Sequence, residues 1–568
     1  MPPLSLVSYS HSRCRSGMSP GIRARAVQML PLFVLSTLAL PAAAVAQAVS
    51  GVGASAIPIP RRIVRIGIGG QWDSYDRVYS DTGARPALSV LQTSAFGVRA
   101  MPQLNAAQQA IRALSGVSAY TLTLGTLETT GDVRSTTTPI AIDVGLTDRL
   151  SIGVLVPYVE TRSNALFILN RNGSGANVGQ NPAFGTTTGP TSRSINGSLL
   201  RQLAQARSQL AAEITRCATL SALNCEAIRA NPSSAQSLLQ QSTAAQSSVV
   251  AIYGDSLRGG AAVVPISGST TQLAINATLT ALRTAFSGFG ISGLSALFPS
   301  AAVLINGPGS IARIARDSAY GVNYERLGGT RRSGIGDIDV IASFLWFNTL
   351  GARPSQWLNA KRFGVRSQVT GGFRFGTAGA DRSEDALDVP IGEGVSAMLA
   401  RSVTDVLFSE RFWMSGTVRL IQPLGDNIAV RRPLYTDSAL FFPSTTERAA
   451  RTLGRRIDIE IAPRMVIGQY FGISAAYLIR RHEADSYVFS ATETASAATL
   501  TTSSRMLQAA MFGLTFSTLS SYMQHRSKWP LEAQFMHTMP ITGSGDAVPA
   551  VATDRVELRI YTGGFPRR

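Results

Sequence analysis

The chain has 568 residues, a net charge of +18, 45% hydrophobic residues but only 15% charged ones, and three cysteines. Beyond the first fifty residues there is no run of about eighteen or more apolar residues, which excludes membrane-spanning helices. Lys361 and Lys528 are the only lysines, so the charge is arginine, spread along the chain and often beside Asp or Glu. That scatter argues against a nucleic-acid partner, which needs basic residues clustered on one face.

Met18 to Ala46 reads as a secretory signal, with Met18 as the expected start. Arg23 and Arg25 form its basic region, Ala26–Ala43 its apolar core, and Ala44-Val45-Ala46 a small-x-small cleavage site before Gln47. An exported, apolar chain without spanning helices fits the other solution a bilayer permits, a closed barrel that pairs every backbone group between strands. A secreted soluble β-domain is the competing expectation. The sequence divides into a leader (1–46), a linker with the first strands (47–160), a helical insert (161–333) and the remaining strands (334–568).

Residues 61–76 alternate and read as a first strand. Residues 77–116 read as a loop ending in a short helix near 106–114, and Tyr120–Glu128 as a further strand. Thr138–Tyr158 reads as a β-hairpin turning at Thr147-Asp148. Ile140, Ile142, Val144 and Leu146 share one face of its first strand, and Ile152, Val154, Val156 and Tyr158 one face of its second.

From Glu160 to Gly334 the alternation stops. Ile195, Leu199, Leu203, Ala206, Leu210, Ile214 and Cys217 recur at steps of four and three, which predicts a helix. A second helix is predicted from Asn231-Pro232, and a third over Thr271–Phe286. Cys217 and Cys225 are the only cysteines left after the leader. In an oxidising compartment they are expected to pair, with two free buried thiols as the alternative.

Strands return near 335–348, 361–376, 396–408, 411–422, 453–467, 470–482, 504–519, 529–540 and 552–562. The count is twelve from Tyr120 and thirteen with residues 61–76. Short turns at Ser409-Glu410 and Gly468-Gln469 contrast with longer polar connections at 377–395, 425–452, 484–502 and 541–551, the habit of outer-membrane barrels. Tyr158, Trp346, Phe347, Phe412, Trp413, Tyr470, Phe471, Trp529 and Tyr561 fall near strand ends, where an interfacial girdle belongs. The fold class is therefore an all-β transmembrane barrel of about 12–14 antiparallel strands with a large α-helical insert between two of them.

If the apolar faces meet lipid, the opposite faces line the lumen. They carry Asp143, Asp337, Asp339, Arg366, Arg374, Arg419, Asp458, Glu460, Arg480, Glu532, Gln534, Glu557 and Arg559. These residues either pair into a plug or line a narrow wet path. The alternation also predicts that arginine is costly at Ile459 and tolerated at Asp458. Gly254-Asp255-Ser256-Leu257 matches the nucleophile block of an esterase family, but no Asp-x-x-His accompanies it. No enzyme activity, cofactor or metal is expected.

Three ordered stretches resemble the outer-membrane barrel family of the MetA pathway of phenol degradation. They are Gly145-Leu146-Thr147-Asp148-Arg149 running to Val156-Pro157-Tyr158; Gly334-Ile335-Gly336-Asp337-Ile338; and Gly372-Phe373-Arg374-Phe375-Gly376-Thr377 followed by Val389-Pro390-Ile391-Gly392-Glu393-Gly394. The likeness covers residues 120–160 and 334–565 and leaves out the insert. It implies a channel or transporter for small, hydrophobic or aromatic solutes, with outer-membrane lipid as the surrounding partner. The alternative is a barrel anchor that displays a helical interaction module. Oligomeric state is left open.

Overall fold

The computed structural model describes residues 55–563 except 172–174, 220–222, 321–326, 352–362, 380–381, 383–384, 386–387, 433–444, 492–497, 524–525 and 546. The expected signal sequence lies outside the described residues. Twelve antiparallel strands form the barrel: β1 Val64–Tyr75, β2 Leu127–Gly145, β3 Leu150–Leu169, β4 Ile338–Asn348, β5 Gly364–Phe375, β6 Ala397–Leu407, β7 Phe412–Pro423, β8 Arg456–Ile467, β9 Phe471–His482, β10 Arg505–Ser517, β11 Leu531–Ser544 and β12 Ala552–Thr562. Each pairs with its neighbours in chain order, and β12 returns to β1 in register from Val64↔Thr562 to Ser74↔Ala552. Closure leaves no open edge.

The alternation that defines the strands also sorts their faces. On β8, Ile459 and Ile461 are 42% and 52% exposed, while Asp458 and Glu460 between them are buried. The same holds around the wall, where Ile66, Ile68, Ile142, Ile152, Val154, Val340, Phe344, Val418, Phe512, Leu514 and Val556 form an exposed apolar exterior. No helix among the described residues is long and apolar enough to cross a membrane. A closed barrel, apolar outside and charged within, is how β-proteins cross the outer membrane. The chain is a transmembrane β-barrel of the bacterial outer membrane.

The strand count needs one correction, and one strand boundary another. Residues 61–76 do contain the first strand. Tyr120–Glu128 is not a strand of its own, because β2 begins at Leu127 and runs unbroken through the hairpin. β3 likewise continues to Leu169, past the expected end at Glu160. Strands of 19 and 20 residues far exceed the roughly ten that span a bilayer. Their upper halves stand clear of lipid, so the apolar alternation fades there.

That projecting hairpin carries a helical cap. Its helices are α1 Asn105–Ser115, α2 Gly189–Cys217, α3 Glu226–Ala230, α4 Pro232–Tyr253, α5 Thr270–Gly288 and α6 Ser310–Arg316. The predicted apolar stripe of α2 is its buried face, with Leu199, Leu203, Ala206 and Leu210 in one core with Ile111 of α1, Val249 of α4, Phe286 of α5 and Phe167 of β3. The β1–β2 connection thus belongs to the same folded unit as the insert. Asn170 ties the pieces together: its Nδ2 donates to the carbonyls of Leu124 and Ile305, both at 2.8 Å, and its Oδ1 accepts from Thr126 N–H at 3.0 Å. Gly125, at φ +101°, lies so close to the Asn170 carboxamide that any Cβ would collide with it.

The even-numbered connections are short at β2–β3, β6–β7 and β8–β9. The odd-numbered ones, on the opposite end, hold the cap and the long loops. Two of those polar loops are themselves structured. Asp426–Arg432, Thr445–Thr452, Ser486–Phe489 and Ala498–Thr501 make a separate four-stranded sheet.

Candidate functional site

Twelve of the thirteen lumen candidates lie on barrel strands and Asp337 just before β4; none is among the exposed residues, and most are brought together as ion pairs. Near the cap end, Arg374 grips Asp339 through Nε and Nη2 at 2.7 and 2.8 Å. Arg480 does the same to Asp458 at 3.0 Å. Lower down, Arg419 reaches Glu460 at 2.6 Å and Arg559 holds Glu557 at 2.7 and 3.1 Å. Period-2 geometry explains these meetings, since side chains directly opposite on neighbouring strands share a face, as Arg419↔Asp458 and Asp339↔Arg374 do.

Asp337 plays a different part. Its carboxylate accepts backbone N–H groups from Ala378 at 3.1 Å and from Glu393 and Gly394 at 2.8 and 3.3 Å. It therefore pins the β5–β6 connection across the cap-side mouth, and Glu393 enters the lumen within 4 Å of Arg374 and Arg456. The Gly-Asp and Val-Pro-Ile-Gly-Glu-Gly stretches quoted above are the two halves of this clasp.

The opposite mouth is filled by the segment preceding β1. Ser55 Oγ donates to Asp405 at 2.7 Å, and the Ala56 N–H reaches the same carboxylate at 3.0 Å. Arg366 Nε completes the group at 2.8 Å, with Ser415 donating to the other oxygen at 2.7 Å. Ile59 and Ile63 pack on Leu519 and Tyr561, and Ile57 on Leu350, Leu407 and Trp413.

Above this segment lies a cavity of about 320 Å³. Of the candidates, Asp143, Glu532, Gln534, Glu557 and Arg559 line it, together with Arg65, Arg401, Arg464, Trp413, Tyr470 and the plug residues Ile57–Pro60. Arg65 pairs with Asp143 at 2.9 and 3.1 Å. Glu532 accepts the Tyr561 hydroxyl and, at 3.3 Å, that of Ser517. Trp413, Tyr470 and Tyr561 were expected in the girdle but turn inward, because each sits on the lumen side of its strand or turn. Phe412, Phe471, Trp346, Phe347, Tyr158 and Trp529 are exposed on the exterior.

Sequence reasoning missed Arg401, Asp405, Arg464 and Glu393. Arg401 and Asp405 share parity on β6, and Arg464 has the parity of Asp458 and Glu460 on β8, so alternation could have found those three. Glu393 and Ser55 lie in connections, where no period exists to read.

In the cap, Cys217 and Cys225 form a disulfide with Cα atoms 5.5 Å apart, and α2 ends at Cys217. The Gly-Asp-Ser-Leu block is a turn after α4: Asp255 Oδ1 accepts the N–H groups of Leu257 and Arg258 at 2.7 and 2.8 Å. Those bonds hold its carboxyl below the usual aspartate range. The described histidines, His482 and His537, sit on β9 and β11 of the barrel, remote from Ser256 in chain and element. No metal-holding cluster of His, Cys, Asp and Glu occurs among the described residues.

No family model and no curated protein matches the chain. Among solved structures it is similar to an outer membrane channel from Pseudomonas putida F1, at 7% identity over 89% of this chain and 97% of that one, TM-score 0.37. It is also similar to the CymD monoaromatic hydrocarbon channel, at 8% identity over 89% of each chain, TM-score 0.24. A FadL homologue of Pseudomonas aeruginosa aligns at 7% identity over 89% and 91%, TM-score 0.25. Likenesses this distant say nothing of the solute, and the barrel rests on its own strand pairing.

Proposed function

We propose that this chain is an outer-membrane channel for small solutes, closed at rest by two movable segments. The observation that carries this reading is the construction of the closures. Neither mouth is sealed by the wall; one is covered by a loop hung on Asp337 and the other by a segment hung on Asp405. Both are held by a handful of hydrogen bonds, each worth about 1.5–3 kcal/mol to a charged acceptor. An inert anchor has no need of a cavity between two such closures. Short turns on the plug side support a periplasmic position for that end, with the cap outside the cell.

The motif likeness to the phenol-degradation barrel family supports a small hydrophobic or aromatic solute, and the apolar plug residues Ile57 and Ile59 on the cavity wall agree with it. The test is uptake of labelled small aromatics into liposomes holding the purified chain. Rates equal to those of protein-free liposomes would remove the channel reading.

A second reading has its own support. The cap has a large core of its own, with α1, α2, α4 and α5 burying their apolar faces on one another. A barrel that merely presents this unit to a partner would retain partner binding and show no flux.

A further inference from the structure

We propose that a row of exterior arginines below the cap binds the phosphates of an outer-leaflet glycolipid. The inference rests on the orientation proposed above, with the cap outside the cell, and not on transport.

The strand register makes the row. Arg134 of β2 lies directly opposite Arg162 of β3, and Arg162 directly opposite Arg331. Arg331 opens the short strand Arg331–Ile335, which precedes β4 along the same side of β3. Alternation turns all three outward. Val133, Ser135, Thr161 and Ser163, the chain neighbours of Arg134 and Arg162, are buried, while the three arginines are exposed. Arg332 points the other way, to Asp388 at 2.6 Å.

The height of the row follows from the same face. Beneath it come Thr136, Glu160 and Ser333, and beneath those Thr138, Tyr158 and Ile335. Tyr158 and Ile335 are 50% and 52% exposed, and Val154 and Ile152 continue the exposed apolar face further down β3. Trp72 of β1, opposite Thr136, is exposed as well. The apolar belt therefore ends at Tyr158 in an aromatic rim. Four residues of strand rise about 13 Å, or about 10 Å in height at the usual tilt of a barrel strand. Arginine stems of that placement carry their guanidinium groups among lipid headgroups.

The charge of the row is unbalanced at its centre. Arg331 contacts Glu160 at 2.6 Å and Arg134 contacts Asp132 at 3.3 Å, whereas Arg162 has no ion-pair partner among the described residues. Asp132 is shared besides, since both its oxygens accept Asn164 Nδ2 at 3.1 Å. Like charges directly opposite on neighbouring strands repel. The two existing pairs are exposed, so water and salt weaken them, and each guanidinium keeps N–H donors for a phosphate. Neighbouring strands stand about 4.8 Å apart, so an anion over Arg162 is reached from both sides. Three guanidinium groups in line cover about 10 Å, wider than one phosphodiester. A sugar headgroup carrying more than one phosphate matches that width, with its acyl chains lying down the face below Tyr158.

The experiment uses the full-length chain folded in detergent, with binding read by thermophoresis. The probes are bisphosphorylated lipid A, the same lipid stripped of both phosphates, phosphatidylglycerol and inorganic phosphate. The bisphosphorylated lipid is expected to saturate, with each of the others weaker by about tenfold or more, the scale of a charge-assisted bond lost. Arg162→Gln should weaken it by a similar factor, and Arg162→Lys should restore part. Stripped lipid equal to bisphosphorylated lipid overturns the proposal, and that comparison needs no variant to fold. Phosphatidylglycerol or inorganic phosphate binding equally well overturns the glycolipid as occupant. Arg481→Gln, at an exposed arginine of β9, should leave binding unchanged. An equal loss there reduces the row to general surface charge and overturns the site. Orientation is read separately in whole cells, by labelling Leu257→Cys, an exposed position of the cap, with an impermeant maleimide. Labelling without lipid binding keeps the orientation and overturns the site. Binding without labelling puts the row in the inner leaflet and overturns the glycolipid as its occupant.

Discussion

Ser55 and Asp405 are 350 positions apart in the chain, yet the hydroxyl of one donates to the carboxylate of the other at 2.7 Å inside the barrel. The same carboxylate holds Arg366 at 2.8 Å, and both charged side chains are almost wholly buried. We expect Asp405→Ala to strand the Arg366 charge and lower barrel stability by about 3–5 kcal/mol, read as loss of heat-modifiable mobility at a lower temperature. Asp405→Ala combined with Arg366→Met should recover most of that loss while leaving the plug untethered and the conductance raised. A double variant as unstable as the single one would mean that Asp405 acts through Ser55 alone.

The face assignment is tested at β8. Ile459→Arg puts a charge into lipid and should cost roughly 2–4 kcal/mol in assembly. Asp458, expected from sequence to tolerate arginine, does not offer a neutral control: it is buried and paired with Arg480 at 3.0 Å. Asp458→Arg would set two guanidinium groups face to face. Thr515, which lines the cavity, is the better comparison, and Thr515→Gln should assemble normally. Equal damage from Ile459→Arg and Thr515→Gln would contradict the orientation of the wall.

Asp337→Asn removes the charge from the clasp that holds the β5–β6 loop. Hydrogen exchange at the Ala378, Glu393 and Gly394 amides should then quicken by about tenfold or more, since bonds to a charged acceptor carry about 1.5–3 kcal/mol. Amides of β5 itself should be unaffected. Unchanged exchange at all three would show that the loop is held by its other contacts.

The cap should respond to alkali and to reductant while the barrel does not. Burial pushes the Tyr253 hydroxyl well above the usual tyrosine range. The neutral form is thus favoured in the folded cap, so the stabilisation is complete below about pH 10. It shrinks as pH rises toward the folded value, by up to about 1.4 kcal/mol per pH unit. The helical circular-dichroism signal should melt earlier near pH 11 than near pH 8, and Tyr253→Phe should lessen that dependence, the rest coming from Tyr120 and Tyr320, whose hydroxyls burial also pushes up. Independently, reducing Cys217–Cys225, which closes a loop of sequence separation 8, should cost about 2–3 kcal/mol of cap stability. Mass spectrometry of the alkylated peptide, without and then with reduction, reports whether the bond is present.

The wall was legible because one rule governs it. Residues such as Ile459 and Asp458 differ in chemistry at every second position, and a barrel demands that difference wherever lipid meets one face and a wet lumen the other. Above the membrane the demand lapses. Thr161, Arg162, Ser163 and Asn164 therefore hid the upper half of β3, and Tyr120–Glu128 passed for a strand because Leu122 and Leu124 alternate while packing into the cap core. Parity is what selected the thirteen charged and polar candidates. Their partners were not, because the choice of neighbour depends on register: nothing in the order of residues says that Arg366 meets Asp405 rather than Asp339. The closures were invisible for a plainer reason. Ser55 and Glu393 act from irregular backbone, where position follows from a few specific bonds and not from a repeating pattern.

The pairing of β1 with β12 also sets the order in which this molecule can be made. Val64 finds Thr562 only after every intervening strand exists, so the seam that closes the cylinder is the most non-local contact in the fold. Such contacts form slowly. Until then β1 offers an unsatisfied edge to any passing strand, a hazard for self-association. The hairpin β2–β3 is the reverse case, joined by a four-residue turn, and it brings both halves of the cap core together from the moment it pairs. The cap can thus mature early, while the seam stays the last event and the step at which assembly machinery has most to contribute.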